Sequence, residues 1–256
     1  MPGDAVTAPY YRDDAVTLYQ GDALRILPTL DATVDAIIAD PPYSSGGQYR
    51  GDRALSTTQK YVQTDTVAKG TAPVAFTGDN RDQRGHLVWS HLWMTEALRL
   101  LAPGGIIGVF SDWRQLPLTT DALQVAGVVW RGIVPWWKPN GRRATGRYAN
   151  NCEYFIWGTN GPRSRAQDAA GNTLGGFWQE NTPRNRVHQT QKPVGLLSWL
   201  ADIAPAGGLI LDPFAGSGST LLAARETGRR AIGIELSAEH CETAAGRLRG
   251  ELEAVA

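Results

Sequence analysis

Asp40-Pro41-Pro42-Tyr43 combines residue types suited to one kind of chemistry. A carboxylate, two rigid prolines and an aromatic ring can grip a flat base that carries an exocyclic amine. Asp40 accepts one hydrogen bond from the amine. A backbone carbonyl beside the prolines, fixed in direction, accepts a second. Tyr43 offers a stacking face. Taken alone, the four residues also read as an ordinary Pro-Pro turn. The apolar run from Val34 to Ala39 reads as a buried strand and puts the tetrapeptide at its carboxyl end. Open α/β sheets bind their ligands there.

A second group lies far downstream. The apolar run Gly208 to Leu211 leads into Asp212-Pro213-Phe214-Ala215-Gly216-Ser217-Gly218-Ser219-Thr220, and a helical pattern follows. Strand, glycine-rich turn and helix start make a place where backbone approaches a nucleoside-type ligand closely. The next strand-like run ends in Glu235, 19 residues after Gly216, a fitting position for a carboxylate on ribose hydroxyls. The dinucleotide fingerprint wants a third small residue, but Leu221 stands next in line. A nucleoside without a pyrophosphate, such as S-adenosylmethionine (SAM), fits this turn. An NAD-dependent oxidoreductase would account for the glycine turn and leave Asp40 to Tyr43 without a task.

On these residues the chain resembles the SAM-dependent amino-methyltransferases that modify exocyclic amines of DNA bases. Asp40 to Tyr43 resembles their catalytic motif, and Asp212 to Gly218 their SAM loop. His188-Gln189-Thr190-Gln191-Lys192-Pro193 is similar to the segment that closes over the methionine part, and Gly21-Asp22 to the one that meets the adenine. The catalytic motif precedes the SAM loop, an order that resembles the circularly permuted beta group. The resemblance implies methyl transfer to a base flipped out of duplex DNA. An aspartate heading the motif is more similar to adenine-N6 enzymes; cytosine-N4 enzymes, which often carry serine there, are the alternative. A catalytically silent DNA-binding module is the more remote one.

The implied roles divide as follows. Asp40, Pro41, Pro42 and Tyr43 are catalytic. Asp22 would hold the adenine amino group and Glu235 the ribose, although each reads also as a helix cap. Asp212, Pro213, Phe214, Gly216 and Gly218 form the cofactor loop. Lys192 would meet the methionine carboxylate, or is a surface lysine before a helix. Trp136 or Trp137 would stack on the base, with core packing as the competing reading. Lys138, Arg142, Arg143 and Arg147 are phosphate candidates, and Arg163, Arg165, Arg184 and Arg186 are candidates for phosphate or base.

The elements that must position these residues alternate between strand and helix patterns. Strands are expected at 15–20, 34–39, 105–110, 128–137, 152–157, 207–212 and 230–235. Helices are expected at 22–30, 86–101, 115–126, 193–204, 219–228 and 237–252. The pattern is a doubly wound, mostly parallel seven-stranded α/β sheet in a single domain spanning 1–256. Residues 44–85 are expected to be a lid or DNA-contact loop, and 158–187 a short target-recognition region.

Composition narrows the classes further. Apolar residues make up 42% of the chain, enough for a sizeable core. No apolar run approaches a membrane span and no signal peptide opens the chain, so a cytoplasmic location is expected. Cys152 and Cys241 are too few for a disulfide framework, and four scattered histidines suggest no metal site. Formal net charge is zero, yet Arg131 to Lys192 carries ten Lys or Arg against three acids. A basic stripe on an otherwise acidic chain suits phosphates. The tryptophan-bearing helix 86–101 reads equally as a homodimer interface or a core helix.

Overall fold

The computed structural model describes residues 8–44, 81–141, 145–183 and 192–252. Arg142, Arg143, Arg184, Arg186, His188 to Gln191 and nearly all of the 44–85 segment lie outside these residues. Strands β1 (Tyr11–Arg12) and β2 (Val16–Gln20) precede the short helix α1 (Ala23–Ile26) and β3 (Val34–Ala39). Helix α2 (Gln83–Leu100) leads to β4 (Leu101–Ser111), and α3 (Leu116–Val125) to β5 (Val129–Trp137) and β6 (Cys152–Thr159). Then come α4 (Arg165–Ala170), β7 (Trp178–Gln179), α5 (Val194–Ala201), β8 (Leu209–Asp212), α6 (Ser219–Glu226), β9 (Arg230–Glu235) and α7 (Ala238–Arg249).

All nine strands join one sheet in the order β1-β2-β9-β8-β3-β4-β6-β5-β7. The run from β2 to β4 is parallel. β6 is antiparallel to both neighbours, β4 and β5. Because parallel strands are covered on both faces, they carry near-continuous apolar runs. β3 alternates accordingly. Ala36 and Ile38 pack with α5, α6 and α7 on one side. Ile37 and Ala39 pack with α1, α2 and α3 on the other. From β3 the chain moves outward to β4, whereas from β8 it moves the opposite way to β9. The crevice between β3 and β8 is therefore the topological switch point. Asp35 Oδ2 accepts the Leu209 N–H at 2.8 Å and ties the two strands together at their other end.

Several expectations need correction. The sheet has nine strands, not seven, because β1 and β7 add two-residue edges too short to leave a periodic pattern. The expected helix 22–30 is α-helical only to Ile26 and continues as a 3-10 turn, Leu27–Thr29, where Pro28 removes a donor. β4 begins at Leu101 rather than 105, with the Pro103-Gly104-Gly105 stretch taken up by a shift in register. α5 ends at Ala201, and Pro193 is its N-cap rather than its first-turn residue. Within 158–187, α4 opens with a capping box between Ser164 and Gln167. Among the described residues no helix is long and apolar enough to cross a membrane.

One packing contact links the sheet to the site described below. A Cβ on Gly108 would lie 1.9 Å from Phe155 Cζ, so the Phe155 ring sits where a side chain would be. That ring in turn packs on Phe110 with centroids 5.0 Å apart. Gly108→Ala should therefore cost about 1–3 kcal/mol through overpacking. Urea unfolding checks this, with Gly176→Ala, which meets nothing within 4 Å, as the near-neutral control. Equal unfolding midpoints for the two variants would refute the contact.

Candidate active site

Asp40 follows directly on β3, and the turn after it is held from two sides. Ser44, fully buried, adopts φ +53°, a conformation rare for a residue with a side chain. Gln115 Nε2 donates to the Ser44 carbonyl at 2.9 Å. Gln115 is itself placed by Asp112 Oδ1, which accepts its N–H at 3.0 Å. The strain of the turn is thus supported by a loop from the neighbouring strand, β4.

Four side chains close a ring at this turn. Lys192 Nζ lies 2.5 Å from Asp40 Oδ2 and 3.1 Å from Glu153 Oε2. The Tyr43 hydroxyl lies 2.8 Å from Asp40 Oδ1 and 2.9 Å from Glu153 Oε2. Lys138 Nζ holds the other Glu153 oxygen at 2.8 Å. Lys192 is only 5% exposed and also sits 4.9 Å from the centre of the Phe110 ring. Asp40 keeps 24% of its side-chain surface open, enough for a ligand amine to reach it.

The electrostatics separate the two acids. Burial raises the Asp40 carboxyl above its ordinary value, against the pull of Lys192. Burial acts on Glu153 as well, but Lys192 and Lys138 together outweigh it and hold that carboxyl at about 2. The two carboxylates overcome the burial of Lys192 and keep it charged. Burial and the same two carboxylates push the Tyr43 phenol well up, so it stays a proton donor. Sequence reasoning missed Glu153; its only signal is an acid inside an otherwise apolar strand.

Across the switch point, the glycine turn after β8 is shaped by buried polar groups. Asp212 Oδ1 accepts the Phe214 N–H at 2.9 Å. Burial raises the Asp212 carboxyl to about 7. Glu235 accepts the Gly216 N–H through Oε2 and the Ser237 N–H through Oε1, both at 2.8 Å. These contacts, with His240, keep Glu235 below its ordinary value in spite of burial. Arg247 reaches from α7 to the Ser217 carbonyl at 2.6 Å, a support that reads in sequence as an ordinary helix-surface cation. Gly218, at φ +80°, caps α6 and leaves no room for a Cβ beside Ala244. Gly216 is different: a Cβ there would meet nothing nearer than 4.0 Å, so its outer face is open to a ligand.

A surface cleft of about 410 Å³ is lined by Gln20, Gly21, Asp22, Arg25, Ile26 and Leu236. Asp22 caps α1 through Oδ1, as the capping reading allowed, and also borders this cleft. Leu236, directly after Glu235, is 57% exposed and gives the cleft an apolar wall.

The remaining expected residues divide sharply. Trp136 is a core residue, 2% exposed, with Nε1 donating to the Glu180 carbonyl. Trp137 is 40% exposed. Phe214 packs against Trp89 and Trp93 of α2, with centroids 5.4 and 5.0 Å away, rather than standing free in the loop. Lys192 points to Asp40 and Glu153 and not toward the glycine turn. Arg163 is occupied within the protein by Gly104, Gln167 and Asp168. Arg147 is exposed, next to Tyr148, which is 98% exposed and carried no signal in the sequence reading.

Comparisons with known proteins point the same way as this geometry. The DNA methylase family of N6 and N4 enzymes matches residues 34–246. The putative methylase YubD of Escherichia coli (strain K12) is 30% identical over 232 residues, 90% of this chain and 88% of its own. The PvuII DNA methyltransferase, described as cytosine-N4-specific, superposes with TM-score 0.71 at 15% identity, covering 97% of this chain and 90% of that one. The complex of M1.HpyAVI with SAM gives TM-score 0.61 at 23% identity, covering 91% and 99%. A family match from β3 to α7 includes both loops at the switch point, and on that ground the chain belongs to the N6/N4 family of DNA methylases.

Proposed function

We propose that this protein transfers a methyl group from SAM to the N6 amine of an adenine flipped out of DNA. The observation that carries the reading is the adjacency of β3 and β8: the Asp40 turn and the glycine turn leave neighbouring strands at the same end of the sheet. A donor on one turn and an amine on the other would meet across the crevice. Asp40 at the head of its turn supports adenine. Cytosine N4 is the second reading, favoured by the likeness to the PvuII enzyme.

SAM fits the residues present. The open face of Gly216 admits a ligand backbone, Glu235 has lone pairs left for ribose hydroxyls, and Asp22 with Leu236 suits an adenine. When bound, SAM supplies a methyl group made electrophilic by its sulfonium. The protein's part is positioning. The amine lone pair is delocalised into the base, and acceptors on the two N–H groups turn it toward the methyl carbon. Asp40 takes one hydrogen and a carbonyl of Pro41 or Pro42 the other. Orientation and fixed charge supply the acceleration. Asp40, its carboxyl raised by burial, also suits the proton that the amine loses after transfer.

Among the described residues, Trp137, Arg147 and Tyr148 are exposed groups suited to base or phosphate. Residues 158–187 and the segment 44–85 remain the proposed recognition region and DNA-contact loop of a single permuted domain. Tyr43, held at its hydroxyl end and packed partly against the core with Lys192 5.4 Å from its ring centre, remains the proposed stacking residue.

The reaction is checked with labelled SAM and unmethylated duplex DNA, followed by mass spectrometry of the nucleosides. N6-methyladenine is expected, and Asp40→Ala should lower its formation by at least about a hundredfold. N4-methylcytosine would keep the mechanism and overturn the base assignment. No methylated nucleoside, on duplex or single strands, would overturn the reading.

Asp212 gives a pH prediction. Its carboxyl rises in the fold from 3.8 to about 7. A neutral Asp212 therefore contributes stability that is whole below about pH 4 and is lost as pH climbs through 7. Asp212→Asn cannot ionise, so relative to wild type it should gain stability from pH 5 to 8 and still bind SAM. Thermal melts across that range check it; parallel curves would mean that Asp212 is already ionised in the fold.

A further inference from the structure

Glu153 has no task in the reaction so far, yet its Oε2 is aimed at the catalytic turn. A cross-strand pair with Lys138, bracing the β5–β6 hairpin, explains Oε1 only. Oε2 instead touches the same two groups that occupy Asp40: Lys192 at 3.1 Å and the Tyr43 hydroxyl at 2.9 Å.

That arrangement answers a physical difficulty. Lys192 and Tyr43 already engage both oxygens of Asp40. To accept an amine hydrogen strongly, Asp40 must loosen at least one of them. Lys192 is nearly sealed from water, and leaving a buried ammonium without an anion costs several kcal/mol. A buried hydroxyl left without an acceptor is also penalised. Glu153 removes both penalties. Lys192 has three protons and can lean fully on Glu153. Tyr43 has one proton facing two carboxylates, and a rotation about its C–O bond hands that proton from Asp40 to Glu153 without moving a heavy atom.

We propose that Glu153 is a positioning residue of the methyl-transfer reaction, taking over Lys192 and Tyr43 as Asp40 turns to the incoming amine. The role rests on the function proposed above and adds to it a group outside the catalytic turn. Lys138, on the opposite oxygen, keeps Glu153 an anion throughout.

Among the described residues, the charged and titratable groups facing Asp40 are Lys192 before α5, Glu153 on β6, Tyr43 on its own turn and Asp212 at the end of β8. Lys138 acts on it through Glu153. Removing the Glu153 charge takes away a neighbour that raises Asp40 and leaves it the undivided charge of Lys192. Both effects lower the Asp40 carboxyl.

The test compares wild type, Glu153→Gln and Glu153→Asp in the full chain, by kcat against pH and by SAM affinity. In Glu153→Gln, kcat should fall roughly 10- to 100-fold. The acid limb of its profile should move to lower pH, with SAM affinity within about threefold. Glu153→Asp, which keeps the charge, should regain most of the rate. If Glu153→Gln fails to fold, Glu153→Gln combined with Lys138→Met restores the charge balance and is read in the same way. A variant with wild-type kcat, or a slower one whose acid limb has not moved, would overturn the role while leaving the function intact. A wild-type protein that binds SAM and methylates neither base would overturn both.

Discussion

A buried ammonium needs anions within reach, and Lys192 meets that need with two carboxylates from different parts of the chain. This one requirement organises the end of the sheet that bears Asp40. It brings the turn after β3 against the second residue of β6, and it fixes the segment entering α5 over both. Phe110 and Phe155 fill the space beneath, and Gly108 makes room for them. Lys138 completes the balance, so that two acids and two lysines meet with no net charge. Such a cluster contributes little to stability once desolvation is counted. Its value lies in specifying which group faces which, and in doing so before a substrate arrives.

The glycine turn across the crevice relies on the same economy of buried charge. Glu235 and Asp212 each accept backbone N–H groups from the turn, and Arg247 supplies a cation to its carbonyl side. The backbone is shaped by these contacts while the outer face of Gly216 stays clear. The two turns lean on separate sets of polar groups but leave adjacent parallel strands. Their separation is then set by the pairing of β3 with β8 in the sheet itself. That is the property a reaction between two bound partners demands.

Burial also sorts the basic stripe and the aromatic residues. Lys138, Lys192 and Arg163 look alike in sequence to cations that would face phosphate, yet each is consumed by contacts within the protein. Trp136 and Trp137 are neighbours in a strand, and side chains there point to opposite faces. One enters the core beside α5 and the other meets solvent.

The sequence by itself determined the seven main strands, the switch between strand and helix, and the turns that bear Asp40, Gly216, Gly218 and Glu235. These depend on local patterns: apolar runs of strand length, prolines and glycines at strand ends, an acid closing the next strand. It left out the two-residue edge strands, which are too short to show a period, and it overran α1, where Pro28 intervenes. Only the tertiary structure decided the partners. Tyr43 and Glu153 are separated by 110 residues and Asp40 and Lys192 by 152, and no local pattern encodes such a meeting. It follows from the order in which strands lie side by side, which puts β6 beside β4 and α5 above β3. The direction of Lys192, the burial of Trp136 and the part taken by Glu153 are all consequences of that order.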